Sequence, residues 1–270
     1  MALDGKKEVT IQFLADSNPP VTRQDAVAVE EPLEIRLGDT PVAVVMRTPG
    51  HDMELAVGFL FSEGILNDPD QVLSVEYCTD VEKEAAGNVV RVLAEGADPQ
   101  ALEAARREVY ASSSCGLCGK TTLDAVRLLT PEIVPMRTLS RSVLAQLPDR
   151  LLAHQDLFDA TGGIHAAGLC DSEGNVLLVR EDIGRHNACD KVIGARVLRE
   201  QWPLHNHILV LSGRASFEMI QKAAMAGIGA VVAVSAPSSL AIDIAEDLGI
   251  TLVGFVRRGT MNLYAGEVVP

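Results

Sequence analysis

Cys115 and Cys118 stand three apart in Ser112-Ser113-Ser114-Cys115-Gly116-Leu117-Cys118-Gly119-Lys120. Thiols at this spacing support a dithiol redox switch, half of a zinc site, or a sulfur relay. A thioredoxin-like pair should follow a strand and open a helix, whose end lowers the first thiol's pKa. Here three serines precede the pair and Gly119 follows it, which reads as a mobile loop. A structural zinc ion needs two further ligands. Cys78, Cys170 and Cys189 are isolated from one another and read as small buried apolar groups. In a relay, one thiolate takes sulfane sulfur from a persulfide donor and offers it to an acceptor, while the second thiol assists release by exchange. Lys120 would favour the thiolate electrostatically if it lies nearby. The bland alternative is a pair of inert surface thiols.

A second polar cluster runs from Arg180 to Lys191 (Arg-Glu-Asp-Ile-Gly-Arg-His-Asn-Ala-Cys-Asp-Lys). It falls where a strand gives way to a helix, a position that lines ligand sites in open α/β sheets. Arg185 and His186 at the helix start can meet an anionic group beside free backbone donors. Asp190, four residues on, shares a helix face with His186 and can orient the imidazole. The bland reading is a solvated first turn. Ser212-Gly213-Arg214-Ala215-Ser216 repeats the strand-to-helix position: small residues admit a phosphate and Arg214 neutralises it. Ser216 is a candidate helix cap, with Glu218 in the first turn. Ser235 to Ser239 and Phe255-Val256-Arg257-Arg258-Gly259-Thr260 end the next two strands. Together these loops predict a pocket for a large phosphorylated cofactor, with Arg180, Arg185, Lys191, Arg214, Arg257 and Arg258 as its basic residues. The sequence contains neither a P-loop nor the dinucleotide glycine fingerprint. Thr161-Gly162-Gly163-Ile164-His165 is a lesser candidate, and a lone His165 can simply hydrogen-bond within a sheet. His51 and Glu54 form neither a complete metal motif nor a convincing acid–base pair.

Composition narrows the classes. The 270 residues carry 23 basic and 37 acidic side chains, a net charge of −14 that argues against general nucleic-acid binding. Six Phe, three Tyr and one Trp are too few for a base-stacking platform. Five cysteines at irregular spacing match no extracellular disulfide framework. The N-terminus lacks an apolar signal core, and apolar runs such as Ile228 to Ala236 are too short to span a bilayer. The expectation is a cytoplasmic protein with free thiols, no membrane insertion and no structural metal.

Several elements must position these residues. Residues 1–25 read as a ragged lead-in with a short strand at Val9–Phe13. Leu33–Leu37 and Val42–Met46 predict a hairpin around Gly38-Asp39. Asp52 is expected to cap a helix to about Glu63, ended by Gly64. Val72–Cys78 and Asn88–Ala94 add strands, and Pro99–Tyr110 a helix. Thr121 or Thr122 starts a helix to about Leu129. Ser140–Phe158 reads as helical, interrupted at Pro148. Beyond Thr161, strands at 164–170, 176–179, 208–211, 231–235 and 251–255 alternate with helices at 185–199, 217–226 and 241–248 after an initial hairpin. That alternation predicts a mostly parallel sheet with helices on both faces. The expected organisation is an N-terminal α+β domain (1–110), a cysteine loop with helical connector (111–160) and a C-terminal α/β domain (161–270).

At its motifs the chain resembles the formate dehydrogenase accessory sulfurtransferase family. The matching segments are Thr48 through Leu60, Cys115 through Lys120, Thr161 through His165, Arg180 through Lys191, Ser212 through Glu218, Ser235 through Ser239 and Phe255 through Gly259. The resemblance implies a homodimeric cytoplasmic sulfurtransferase. It would accept persulfide sulfur from a cysteine desulfurase and pass it to the molybdenum cofactor in its bis(molybdopterin guanine dinucleotide) form, for insertion into the formate dehydrogenase catalytic subunit. Carried over, Cys115 is the persulfide carrier and Cys118 its partner. Phe255 through Thr260 match the family's cofactor-binding segment, and Arg185, His186, Ser212, Gly213 and Arg214 are further candidates. The resemblance also implies a cytidine deaminase-like three-layer C-terminal domain. Deaminase chemistry is not expected, because Asn187-Ala188 supply no His-x-Glu and Arg214 and Ser216 cannot replace thiolate ligands. The alternative is a noncatalytic cofactor chaperone, and a third class is a Cys-x-x-Cys oxidoreductase.

Overall fold

The computed structural model describes residues 5–16, 18–110, 130–136 and 139–270, apart from the side chains of 84 and 107–110. The Cys115–Cys118 segment, Lys120 and the expected helix to Leu129 lie outside the described residues.

Three sheets organise the chain. β1 (Lys6–Ala15) and β2 (Asn18–Ala28) form an antiparallel ribbon. The expected lead-in is therefore regular structure. Its second strand was hidden by Pro19, Pro20 and few apolar residues, a composition tolerated where both strands are edges. β3 (Glu31–Leu37), β4 (Thr40–Arg47), β5 (Val72–Tyr77) and β6 (Val89–Ala94) form a mixed sheet of order β4-β3-β6-β5. The β3–β4 hairpin turns at Gly38, whose φ of 57° suits glycine. α1 (Asp52–Ser62) and α2 (Pro99–Tyr110) accompany this sheet. His51, with φ 59°, holds the N-cap position of α1, so the expected Asp52 cap is displaced by one residue.

The expected long helix of 140–158 is instead three short ones: α3 (Arg141–Leu144), α4 (Leu147–Leu152) and α5 (Asp156–Thr161). The C-terminal half contains β7 (His165–Cys170), β8 (Val176–Asp182), α6 (Arg185–Val197), β9 (Ile208–Leu211), α7 (Phe217–Met225), β10 (Ala230–Ala233), α8 (Ser239–Leu248), β11 (Thr251–Arg257) and β12 (Thr260–Ala265). Its six strands run in the order β12-β11-β10-β9-β7-β8. Only β9–β10 and β10–β11 pair in parallel, so the sheet is mixed, not mostly parallel. β7 runs opposite to both neighbours, and the unexpected β12 returns through the two-residue turn Arg258-Gly259, both at positive φ.

Strand alternation covers the sheet on both sides. Leu209 and Leu211 face the core that holds α6, α7 and α8, whereas Ile208 and Val210 face Leu144, Leu147 and Leu151 of α3 and α4. The first core runs without a break into Leu33, Ile35, Leu55 and Leu60 of the N-terminal sheet and α1. The two halves meet where α1 crosses α6. A Cβ on Gly58 would enter the carbonyl of Asp190, and one on Gly194 that of Glu54. Glycine at both positions lets the two backbones touch.

Candidate functional site

β8, β9, β10 and β11 all deliver their carboxyl ends to one edge of the six-stranded sheet, because β7 reverses direction between β8 and β9. The amino end of β7 meets them there: Ala166 N donates to Ser212 Oγ at 2.9 Å and Ser212 N to Ala166 O at 3.1 Å. α4 and α5 stand above this edge. Glu181 fixes α5 by accepting from the backbone N–H groups of Leu157 and Phe158 at 2.9 and 2.8 Å. The result is a cleft of about 780 Å³ between Leu151, Leu152 and Phe158 on one side and the strand ends on the other.

His165, Ser212, Val256, Arg257 and Arg258 line the cleft. His165 lies against Gly213, where a Cβ would approach its ring to 3.4 Å. Burial, followed by the nearby Arg185 and His186, lowers the His165 pKa, so its imidazole is neutral at pH 7. Arg257 lies 5.8 Å from the Phe255 ring centroid. Phe255 and Arg258 adopt φ values of 53° and 50°, costly conformations for residues with a side chain. The β11–β12 register shifts between Gly254 and Arg257, and this irregularity sets the two arginines at the rim. Among the described residues, Arg214, Arg257 and Arg258 pair with no carboxylate.

Arg185 and His186 begin α6 at the same edge, and among the described residues the buried Arg185 Nε and His186 Nε2 have no hydrogen-bond partner. His186 Nε2 lies 3.9 Å from Glu218, whose carboxyl is held down to about 2 chiefly by this histidine. Ser216 occupies the N-cap position of α7, but its hydroxyl does not close the first turn. Gly259 and Thr260 form the exposed β11–β12 turn, where Thr260 Oγ1 donates to Arg257 O at 2.9 Å. Arg214 is exposed and does not line the cleft.

Three charged residues read from sequence as site groups serve the fold instead. Asp190 is not directed at His186. It is buried, accepts from Ser62 Oγ at 2.7 Å and pairs with Lys222 Nζ at 2.9 Å. The helical spacing of 186 and 190 was read correctly, but the crossing of α1 and α7 claimed the carboxylate. Lys191 is 1 % exposed and pairs with Asp182 at 2.6 Å while donating to Thr48 O at 2.9 Å. Arg180 is held by Glu54 through two contacts of 2.5 and 2.8 Å. Neither cation belongs to the expected basic pocket. Cys170 and Cys189 are buried, and burial pushes the first thiol up to about 11 and the second further in the same direction. Cys78 is buried as well.

Leu151, Leu152 and Phe158 were missed as cleft residues. Their sequence signal is only apolar spacing, which a core helix shares. Among the described residues, no group of three metal-ligating side chains converges and no helix is long and apolar enough to cross a membrane.

Residues 28–268 match the FdhD/NarQ family. The chain belongs to this family. It is 50 % identical over 251 residues to the sulfur carrier protein FdhD of Streptomyces avermitilis, covering 91 % of this chain and 89 % of that protein. Against the sulfur carrier protein FdhD of Nocardia farcinica, identity is 52 % over 248 residues, with 91 % and 88 % covered. A crystal structure from Desulfotalea psychrophila, assigned as a formate dehydrogenase accessory protein, superposes with a TM-score of 0.73 at 23 % identity, covering 96 % of this chain and 97 % of the other. At that identity the match speaks for the fold. The two chains share the mixed α/β fold.

Proposed function

We propose that the protein is a sulfurtransferase that carries sulfur for formate dehydrogenase maturation. Cys115, with Cys118 as its partner, accepts persulfide sulfur from a cysteine desulfurase and delivers it to molybdenum cofactor in its bis(molybdopterin guanine dinucleotide) form. The observation that carries this reading is the relationship at about half identity, across nine-tenths of the chain, to proteins named sulfur carriers. The cleft supports the cargo. Among the described residues, Arg257 and Arg258 have no competing carboxylate, Ser212 lines the cleft beside them, and the buried Arg185 Nε has no hydrogen-bond partner. A large anion with phosphate groups supplies the acceptors these groups need. Neutral His165 can accept a hydrogen bond from a guanine or pterin N–H.

The strand order β8-β7-β9-β10-β11, with helices on both faces, supports reading residues 161–270 as a cytidine deaminase-like domain joined to a smaller α+β domain at 1–110. We assign the protein to the cytoplasm, as a homodimer acting between the desulfurase and the formate dehydrogenase catalytic subunit.

Incubation with a desulfurase and cysteine should add about 32 Da, one sulfur atom, to the peptide containing Cys115 and Cys118. Cys115→Ser should abolish transfer while leaving cofactor binding intact. Full transfer by that variant would reject the carrier role. Cofactor binding without any adduct would leave a chaperone, and loss of two hydrogens alone would indicate a disulfide enzyme.

A further inference from the structure

A second pocket, of about 490 Å³, opens at the opposite end of the six-stranded sheet from the cleft, where β8 and β9 begin and α6 ends. Leu177 of β8, Arg196 of α6, His207 and the segment from Glu200 to Leu204 line it. Its size falls within the range of small-ligand sites, roughly 300–1,000 Å³.

Arg196 is the cation of this pocket. Its Nη1 donates to Gln201 Oε1 at 2.6 Å. Among the described residues, its buried Nε has no hydrogen-bond partner and no carboxylate pairs with the guanidinium. Burial, followed by the nearby Arg199 and Arg180, lowers its pKa: the charge sits partly out of water among like charges. An arriving anion relieves both penalties. Glu200, four residues on, is spaced along the chain as a helical counter-charge. Its φ of 57° instead turns it out of the helix, a costly backbone for a residue with a side chain. Strained residues of this kind cluster at ligand sites. The Glu200 carboxylate therefore stands exposed at the pocket rim, unpaired with Arg196.

The remaining wall is apolar and preformed. Trp202 packs edge-on against Phe61, with ring centroids 5.0 Å apart, and its Nε1 donates to Asn67 O at 3.2 Å. Pro203 adjoins it, and Leu177 is 41 % exposed. His207 Nδ1 donates to His205 O at 2.8 Å, which leaves Nε2 for a ligand.

We propose that this pocket binds an apolar α-amino acid as its zwitterion, with the carboxylate at Arg196, the ammonium at Glu200 and the side chain against Leu177, Trp202 and Pro203. A cation and an anion that do not neutralise each other, beside an apolar wall, match the two charges and one apolar group of such a molecule. A phosphate monoester fits less well, because its second negative charge meets Glu200. An amine leaves Arg196 unmatched, and a hydrocarbon leaves both charges desolvated without partners. The inference is independent of the sulfur-carrier reading, because it uses no residue of the cleft or the cysteine pair.

Calorimetric titration of the full chain with L-leucine and L-phenylalanine tests it. At least one should bind with a Kd below about 1 mM. Leucinol, which lacks the carboxylate, and 4-methylpentanoate, which lacks the ammonium, should each bind about tenfold or more weakly than L-leucine. Arg196→Met keeps the apolar stem and should weaken amino-acid binding about tenfold, and the exposed Glu200→Gln, which leaves the fold untouched, about threefold. Far-UV circular dichroism checks that both variants are folded. Saturating guanosine diphosphate should leave the amino-acid affinity unchanged, since the cleft lies at the other end of the sheet. No binding of either amino acid up to about 10 mM, equal affinity for 4-methylpentanoate or leucinol, unchanged affinity in Glu200→Gln or in a folded Arg196→Met, or displacement by guanosine diphosphate would each overturn the proposal.

Discussion

The α1–α6 crossing and the carboxyl edge of the six-stranded sheet are built from the same residue types and behave oppositely. At the crossing, each charge has an assigned counter-charge in a dry setting. Arg47 grips Asp52 at 3.2 and 2.9 Å and reaches Asn88 at 2.8 Å. Asp182 takes Lys191, and Asp190 takes Lys222. At the sheet edge, Arg214, Arg257 and Arg258 face solvent or the cleft with no carboxylate partner among the described residues. A buried charge left without its partner costs several kcal/mol, so the crossing has to be internally complete. A rim charge keeps its water until a ligand replaces it, so the edge tolerates incompleteness. Completion therefore marks a structural role here, and the lack of a partner marks a candidate site.

Substitutions can break that contrast. Lys222→Met should have the largest effect, a loss of about 3–5 kcal/mol in chemical denaturation, because Asp190 is left buried without a cation. Burial raises the Asp190 pKa. Without Lys222, the carboxyl should remain protonated at low pH and lose stability as pH rises through that elevated value. The variant should thus be relatively better folded in acid, the reverse of an ordinary acid transition. Gly58→Ala should come next, at about 3 kcal/mol, since the new methyl meets the Asp190 carbonyl in a crossing that cannot open locally. Thermal unfolding would read both.

A smaller effect belongs to the half-buried Arg180–Glu54 pair. The Glu54 carboxyl is lowered to about 2 despite the opposing pull of burial, because Arg180 hydrogen-bonds to it and His51 adds to the effect. A lowered folded value stabilises above the ordinary carboxylate range and is lost as pH falls towards 2. Arg180→Met should cost about 1–2 kcal/mol at pH 7 after allowance for solvent screening, and little at pH 2. Denaturation midpoints across pH 2–7 would show the difference closing in acid. Arg257→Ala should change stability least, within about 0.5 kcal/mol. It should nevertheless weaken binding of guanosine diphosphate, measured by calorimetry, which the crossing variants should not do while they remain folded. Equal loss of affinity in a folded crossing variant would erase the distinction between the two regions.

Much of this was legible from local pattern. Gly38-Asp39 between two alternating apolar segments specified the β3–β4 hairpin. Asp171 to Asn175 specified the next turn, which Asp171 closes by accepting from Glu173 and Asn175 N–H groups at 2.9 Å. The loops after β8, β9, β10 and β11 were correctly placed at one edge, although the expected reason, a mostly parallel sheet, was wrong. The direction of β7 depends on which strand pairs with it, and pairing is a long-range matter. β12 escaped notice for the same reason. Met261, Leu263 and Ala265 alternate with Thr260, Asn262 and Tyr264, but so short a segment is fixed as a strand only by pairing with β11.

The amino-acid sequence by itself determined the thiol pair, the acidic surface, the turns, most helices and strands, and the family to which the chain belongs. These are properties of residue type and near-neighbour spacing. Only the tertiary structure decided which charges remain available. Arg180 and Lys191 read the same as Arg257 and Arg258 along the chain, and Asp190 looked like a partner for His186. The fold brought Glu54, Asp182 and Lys222 to the first two cations and the aspartate, and left the arginines at the cleft rim with no carboxylate among the described residues. The reason is physical: a charge's role follows from its burial and its counter-charge, and both are set by residues distant in sequence.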